Sequence, residues 1–253
     1  MSARVCFLGH STVLIEIDGM RVLTDPVLRP RIGHLRRIIA EPRRDLYEDV
    51  DLVLVSHAHH DHLDRPSLRR LADSTRAICA APAMRAVASS GLAAEAIEPG
   101  SVVRAGPLEI TATDADHDGR RWPLIGESRA VGFVVRGGDT SVYFAGDTGL
   151  FPGMSAIGPV DVALLPVSGW GPSLPAGHLG PEEAAEAAGL IAPRVAVPIH
   201  WGTMRRIGMR AGGPADEPAR RFLAALPERA PAVRGELIEP GGWLDRDRAD
   251  PAG

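Results

Sequence analysis

Lysine is absent from this chain of 253 residues, and all 28 basic side chains are arginine. That excludes any mechanism built on a lysine Schiff base or lysine nucleophile. Cysteine is nearly absent too. Cys6 and Cys79 lie in the apolar stretches Val5-Cys6-Phe7-Leu8 and Ala77-Ile78-Cys79-Ala80, and read as buried free thiols rather than a disulfide or metal ligands. No apolar run approaches the roughly 18 residues that span a bilayer. Only Arg4 precedes the first short apolar stretch, with no h-region or cleavage site, so the expected compartment is the cytoplasm. A basic excess is also missing: the net charge is -4, which argues against a general nucleic-acid binder. The expected partner is a small molecule.

Histidine is where the chain departs from the ordinary. The run Ser56-His57-Ala58-His59-His60-Asp61-His62-Leu63-Asp64 follows apolar Leu52-Val53-Leu54-Val55, so that a strand end holds donors and the next loop wraps them. Imidazole and carboxylate are donors that zinc, manganese and iron accept. His57, His59, Asp61 and His62 are too many for one catalytic ion that keeps a water, which points to two adjacent metals. A His-rich surface loop or a structural zinc site is the plainer alternative. Three further stretches repeat the pattern of a strand feeding a donor. Ile110–Thr113 precedes Asp114-Ala115-Asp116-His117, Ser141–Ala145 precedes Gly146-Asp147-Thr148, and Ala196–Ile199 precedes His200-Trp201-Gly202. Each is weak alone, since strand-end histidines are often structural and Gly-Asp is a common turn. Together the seven donors suit two metals with one shared carboxylate and a bridging water.

Elsewhere, Arg4–Leu8, Thr12–Ile17 and Met20–Thr24 read as strands, with Asp18-Gly19 as a hairpin turn and Asp25-Pro26 ending the pairing. Residues 29–49 are Arg-rich and broken by Pro30 and Pro42. They read as a long loop or short helix at the pocket edge, either solvated or attracting anionic substrates. Helices are expected over Ser67–Asp73, capped by Asp64, over 83–90, over Pro181–Ile191 and over Glu217–Leu226. Further strands are expected at Arg76–Ala80, 101–113, 130–144 and Val195–Ile199, and the tail 245–253 is expected to fray. No linker or repeat divides residues 1–253, which read as a single domain with sheets inside and helices outside.

Several motifs carry a resemblance: Gly9-His10-Ser11-Thr12, Thr24-Asp25-Pro26, the run Ser56–Asp64, Ala145-Gly146-Asp147-Thr148, Gly177-His178 before Pro181-Glu182-Glu183-Ala184, and Pro198-Ile199-His200-Trp201-Gly202-Thr203. In these the chain resembles the metallo-β-lactamase-fold superfamily of metal-dependent hydrolases, from Gly9 to about Trp243. The branch holding N-acyl-phosphatidylethanolamine phospholipase D and L-ascorbate-6-phosphate lactonase looks most similar. The resemblance implies an α/β (α+β) chain folded as a four-layer αββα sandwich, with a binuclear site at one edge of the two central sheets. It implies His57, His59 and His117 on one metal, Asp61, His62 and His200 on the other, Asp147 bridging, and His60 as a spacer. Zinc is the first choice of metal, with manganese or iron as alternatives. Asp118 stands after His117 where the phospholipase D relatives usually have an aromatic, which counts against an N-acyl-phospholipid substrate. His59 stands where the diiron, dioxygen-reducing branch typically has glutamate, which disfavours an iron oxidoreductase.

The function implied is hydrolysis of a small ester, lactone or phosphodiester by a hydroxide bridging two metals. Asp61 would orient that hydroxide and take its proton. His178 would donate to the developing oxyanion or the leaving group, or else cap the helix that follows it. The segment 29–44 and Arg120-Arg121 suggest an anionic substrate. A metal-bearing scaffold that binds without turnover is the rival from another class. His10, Asp25 and Asp64 are candidates for orienting the ligands from behind, Asp64 alternatively being a cap. Trp122, Trp170 and Trp201 either line the pocket or pack in the core, and His34 reads as a surface residue. Specificity is expected in loops 29–49, 118–128 and 168–180.

Overall fold

The computed structural model describes residues 3–119, 129–171, 173–210 and 212–245. It opens with an antiparallel meander of β1 (Arg4–Gly9), β2 (Thr12–Ile17) and β3 (Met20–Thr24). Asp18 and Gly19, both at positive φ, make the tight turn between β2 and β3. Next comes a short hairpin, β4 (Arg31–Ile32) and β5 (Leu35–Arg37), where the sequence suggested a loop or helix. Gly33, at positive φ, supplies its tip. The parallel strands β6 (Leu52–Val55), β7 (Arg76–Ala80) and β8 (Ala93–Ile97) then extend the first sheet from β3, with α1 (Arg65–Leu68) and α2 (Met84–Ala88) between them. Asp64 caps α1 by accepting from the Ser67 N–H. The expected helix to Asp73 stops early, because Arg70 and Leu71 donate to carbonyls only three residues back.

The second half builds a matching sheet. Strands β9 (Val102–Ala105), β10 (Leu108–Asp118), β11 (Arg129–Gly137) and β12 (Thr140–Phe144) are antiparallel. Parallel β13 (Val162–Pro166) follows, then α3 (Pro181–Ile191) and β14 (Val195–Ile199). The chain continues through β15 (Met204–Arg206), α4 (Glu217–Arg229), β16 (Arg234–Gly235) and β17 (Trp243–Asp245). β15 adds to the β4–β5 hairpin as a third strand. β17 returns to pair with β1, Asp245 opposite Arg4, so the expected fraying does not start at Asp245, and 246–253 lie outside the described residues.

The sheet orders are β17-β1-β2-β3-β6-β7-β8 and β16-β14-β13-β12-β11-β10-β9. One apolar cluster joins them: Phe7, Ile15 and Leu54 from the first sheet meet Phe133, Val135 and Phe144 from the second. Strand alternation sends Leu14, Leu23 and Val53 to the first sheet's other face, where Leu68 of α1 and Val87 of α2 cover them. Ala184, Ala188 and Phe222 of α3 and α4 cover the second sheet. The result is an α+β sandwich of four layers, αββα.

Candidate metal centre

All the candidate donors but His117 sit where a strand leaves a sheet. The segment after β6 carries His57, His59, Asp61 and His62, the turn after β12 carries Asp147, and the turn after β14 carries His200. His117 instead lies within β10, which runs five residues past Thr113, where the sequence ended the strand, to Asp118, with a register shift between Asp114 and Asp118. Such a bulge re-aims side chains. Backbone geometry is specialised here. His10, Asp25 and His200 all have positive φ, at 59, 34 and 63°, a strained setting for non-glycine residues that clusters at functional sites. Gly146 also has positive φ, and a Cβ there would lie 2.7 Å from Ser56 Cβ. Only glycine brings Asp147 this close to the histidine run.

All seven donors named from the sequence converge. His57, His59 and His117 form one group and His10, Asp61, His62 and His200 another, each with donor atoms within 4.8 Å of one another. Asp147 lies between: its Oδ2 is 3.0 Å from His62 Nε2 and 3.9 Å from His57 Nε2, and its Oδ1 is 3.2 Å from His200 Nε2. The outward nitrogens show which tautomers are present. His62 Nδ1 donates to Asp25 Oδ2 at 2.7 Å, His117 Nδ1 to the Gly177 carbonyl at 2.8 Å, and His200 Nδ1 to the Ser168 carbonyl. Ser56 Oγ donates to Asp25 Oδ2 and so accepts from His57 Nδ1. Four histidines therefore turn Nε2 inward, while His59 turns Nδ1 inward.

This donor set fits metal ions. His59 Nδ1 is 3.0 Å from His57 Nε2 and 3.1 Å from His117 Nε2, and a single proton on His59 can satisfy only one of those lone pairs. Tetrahedral ligands about 2.1 Å from one ion lie about 3.4 Å apart, so one cation accommodates all three. Asp147 Oδ1 is buried without a hydrogen bond despite the nearby His200 imidazole, an unsatisfied acceptor that a cation would satisfy.

Charge is arranged accordingly. Burial opposes ionisation of Asp147, but His200 and His62 outweigh it and hold its carboxyl well below the usual range. Asp61 is likewise held well down, burial being overcome by His62 and His10. Burial depresses the His57 and His117 imidazoles and pushes His200 down to about 3. His62 runs the other way: Asp147 and Asp61 overcome its burial and raise it well above its ordinary value. Ionised carboxylates and mostly neutral imidazoles are the ligating forms.

A sequence model of the beta-lactamase superfamily domain matches residues 20–201. The chain belongs to that superfamily. It is 34% identical to a UPF0173 metal-dependent hydrolase of Methanopyrus kandleri, over 96% of this chain and 100% of that protein. Among solved structures it is similar to Igni18, a metallo hydrolase of Ignicoccus hospitalis, with a TM-score of 0.73, 23% identity, and coverage of 97% and 98% of the two chains. It is also similar in fold to CmlA, a diiron β-hydroxylase of Streptomyces venezuelae, with a TM-score of 0.69 and 18% identity over 96% of this chain and 53% of that one. The chain is a metal-dependent hydrolase with the metallo-β-lactamase fold.

Around the centre of this superfamily member, the remaining candidates divide. His178 enters the site: its Nε2 is 3.4 Å from Asp147 Oδ2, and its ring stands edge-on to His117. It does not cap α3, because Gly180 occupies the cap and Glu183 accepts from the Gly180 N–H at 2.9 Å. His10 Nε2 contacts Asp61 Oδ2 at 3.0 Å, and Asp25 backs His62. Asp64 is instead tied to Ser67 and to Arg29, the latter at 2.8 and 2.7 Å, and among the described residues makes no hydrogen bond to the clustered histidines. His60 is exposed at the cavity edge, outside both donor groups. Trp201 packs on Phe7 in the core, and Trp122, Arg120 and Arg121 lie outside the described residues.

Trp170 lines the cavity, one of the two roles the sequence left open for it. Its contact there and those of three further groups are not visible in the sequence. Trp170 Nε1 donates to Asp61 Oδ2 at 3.0 Å, across a separation that only the fold closes. His34 is exposed as expected, yet it stands edge-on to Trp170, with centroids 5.1 Å apart, and lines the cavity. The Gly33 turn beside it is the one sequence signal that could have placed it at a hairpin tip. The Ser168 and Gly177 carbonyls have no side-chain signature at all.

Proposed function

We propose that the chain hydrolyses a small ester, lactone or phosphodiester with two divalent ions held across Asp147. His57, His59 and His117 would hold one ion, Asp61, His62 and His200 the other. The observation that carries this reading is the pair of donor groups sharing one carboxylate with an unsatisfied Oδ1. Zinc suits so imidazole-rich a set, and manganese and iron are the alternatives. Such ions supply an acidified water near neutral pH and polarise the substrate oxygen.

The side chains do the rest. Asp61 Oδ2 takes N–H bonds from both His10 and Trp170, which fixes the carboxylate's rotation toward a water whose proton it accepts. His178 directs Nδ1 at the Pro175 and Ala176 carbonyls, both at 3.3 Å, and Nε2 at Asp147. Burial lowers its affinity for a proton, but Asp147 overrides this and raises its pKa. His178 is thereby placed to donate an Nε2 proton to the leaving oxygen. Gly9-His10-Ser11-Thr12 and Pro198–Thr203 support placing the chain near the lactonase-containing branch.

The test is metal dependence across a panel of esters, lactones and phosphodiesters. Chelation should abolish turnover, and zinc or manganese should restore it. Asp61→Asn and His59→Ala should fold normally yet lose about a hundredfold or more of the rate. Full activity in either variant would contradict the proposed roles.

A further inference from the structure

A cavity of about 320 Å³ opens over the donors, and its outer wall is the β4–β5 hairpin together with Trp170 and Pro175. The hairpin's register decides what that wall offers. Ile32 faces Leu35, and Arg31 faces Arg36. Opposite partners share a face and neighbours alternate, so one face carries Ile32 and Leu35 and the other carries Arg31 and Arg36. Burial shows which is which: Ile32 is 4% and Leu35 3% exposed, while both arginines are exposed. β15 adds Arg205 beside Arg36 on the outward face; Arg206 lies opposite Leu35 but is exposed and is not among the described residues lining the cavity.

The other arginines of the segment are committed elsewhere. Arg29 is bidentate on Asp64, Arg43 pairs with Asp45, and Arg44 with Glu48 at 3.1 Å. Arg37 is buried and donates to the Leu8 and Val27 carbonyls at 3.0 and 2.8 Å, which makes it a strut of the fold. No arginine appears among the described residues lining the cavity. The basic composition of 29–44 is thus turned away from the donors, and an apolar wall is turned toward them.

Building on the hydrolase reading above, we propose that the cavity takes a neutral ester or lactone with a short apolar group lying on Ile32, Leu35 and Trp170. The reacting carbonyl would point at the donors opposite. The size favours a compact group, because the volume lies at the low end for ligand pockets.

Calorimetric binding to the full chain, with and without zinc, tests this using γ-lactones whose alkyl tail lengthens from methyl to pentyl. A version of the same ring carrying a phosphate is the anionic probe. Affinity should rise about three- to fourfold per methylene until the cavity is full. Leu35→Ala should flatten that rise, Arg36→Ala should leave it unchanged, and the phosphorylated probe should bind no tighter than its neutral parent. No rise with tail length overturns the proposal. So does a tighter phosphorylated probe that Arg36→Ala weakens. Initial rates on the same lactones separate the two readings. Graded binding without metal-dependent turnover would sink the hydrolytic role proposed above and leave the cavity's preference standing.

Discussion

Asp61 Oδ2 receives two N–H groups, from His10 on the β1–β2 turn and from Trp170 on the loop before α3. Loss of one should let the carboxylate rotate. Trp170→Phe keeps the ring and removes only the donor, so the melting temperature should stay near wild type. Metal affinity or kcat/KM should fall about 10- to 100-fold, the usual effect of losing a ligand's supporting contact. Elemental analysis after dialysis and steady-state kinetics check it, and wild-type values for both would remove Trp170 from the site. The two thiols offer a second residue-level prediction. Burial pushes Cys6 and Cys79 up to about 12, so thiolate is scarce at pH 8 and reactivity depends on thiolate. Iodoacetamide should label neither in the native protein and both in denaturant.

Among the elements, those with clean periodicity were legible from sequence: β7 at Arg76–Ala80, α3 at Pro181–Ile191 and β14 at Val195–Ile199 lie where their patterns placed them. The β4–β5 hairpin was not legible. Its alternation is only two residues deep on each strand, and its partner β15 lies about 170 residues away, so the pairing energy is tertiary. The bulge that carries β10 past Thr113 was hidden for the same reason. At the site, the histidines and acids announced themselves by type, whereas Trp170 and the carbonyls behind His117 and His200 depend on packing. Gly9 shows how tightly these elements meet. It has φ +110°, and an added Cβ would lie 2.9 Å from both Ile39 Cδ1 and Thr203 Oγ1. Gly9→Ala should cost about 2–4 kcal/mol through backbone strain and overpacking, read as a lower urea midpoint. An unchanged midpoint would show that the turn relaxes freely.

For the whole molecule, two sheets bring the ends of β6, β10, β12 and β14 together, and bound ions would tie those layers to each other. An ion at a hundred times its Kd stabilises a fold by about 2.7 kcal/mol, roughly 5–10 °C in a protein of this size. Adding excess chelator should therefore lower the melting temperature by that amount per ion, and zinc should restore it. The account rests on Asp147 joining two donor groups, and metal stoichiometry at saturation tests it most directly. Elemental analysis of zinc-titrated protein should give two ions per chain, falling to one or fewer in Asp147→Asn. Saturation at a single ion in the unmodified chain would contradict it.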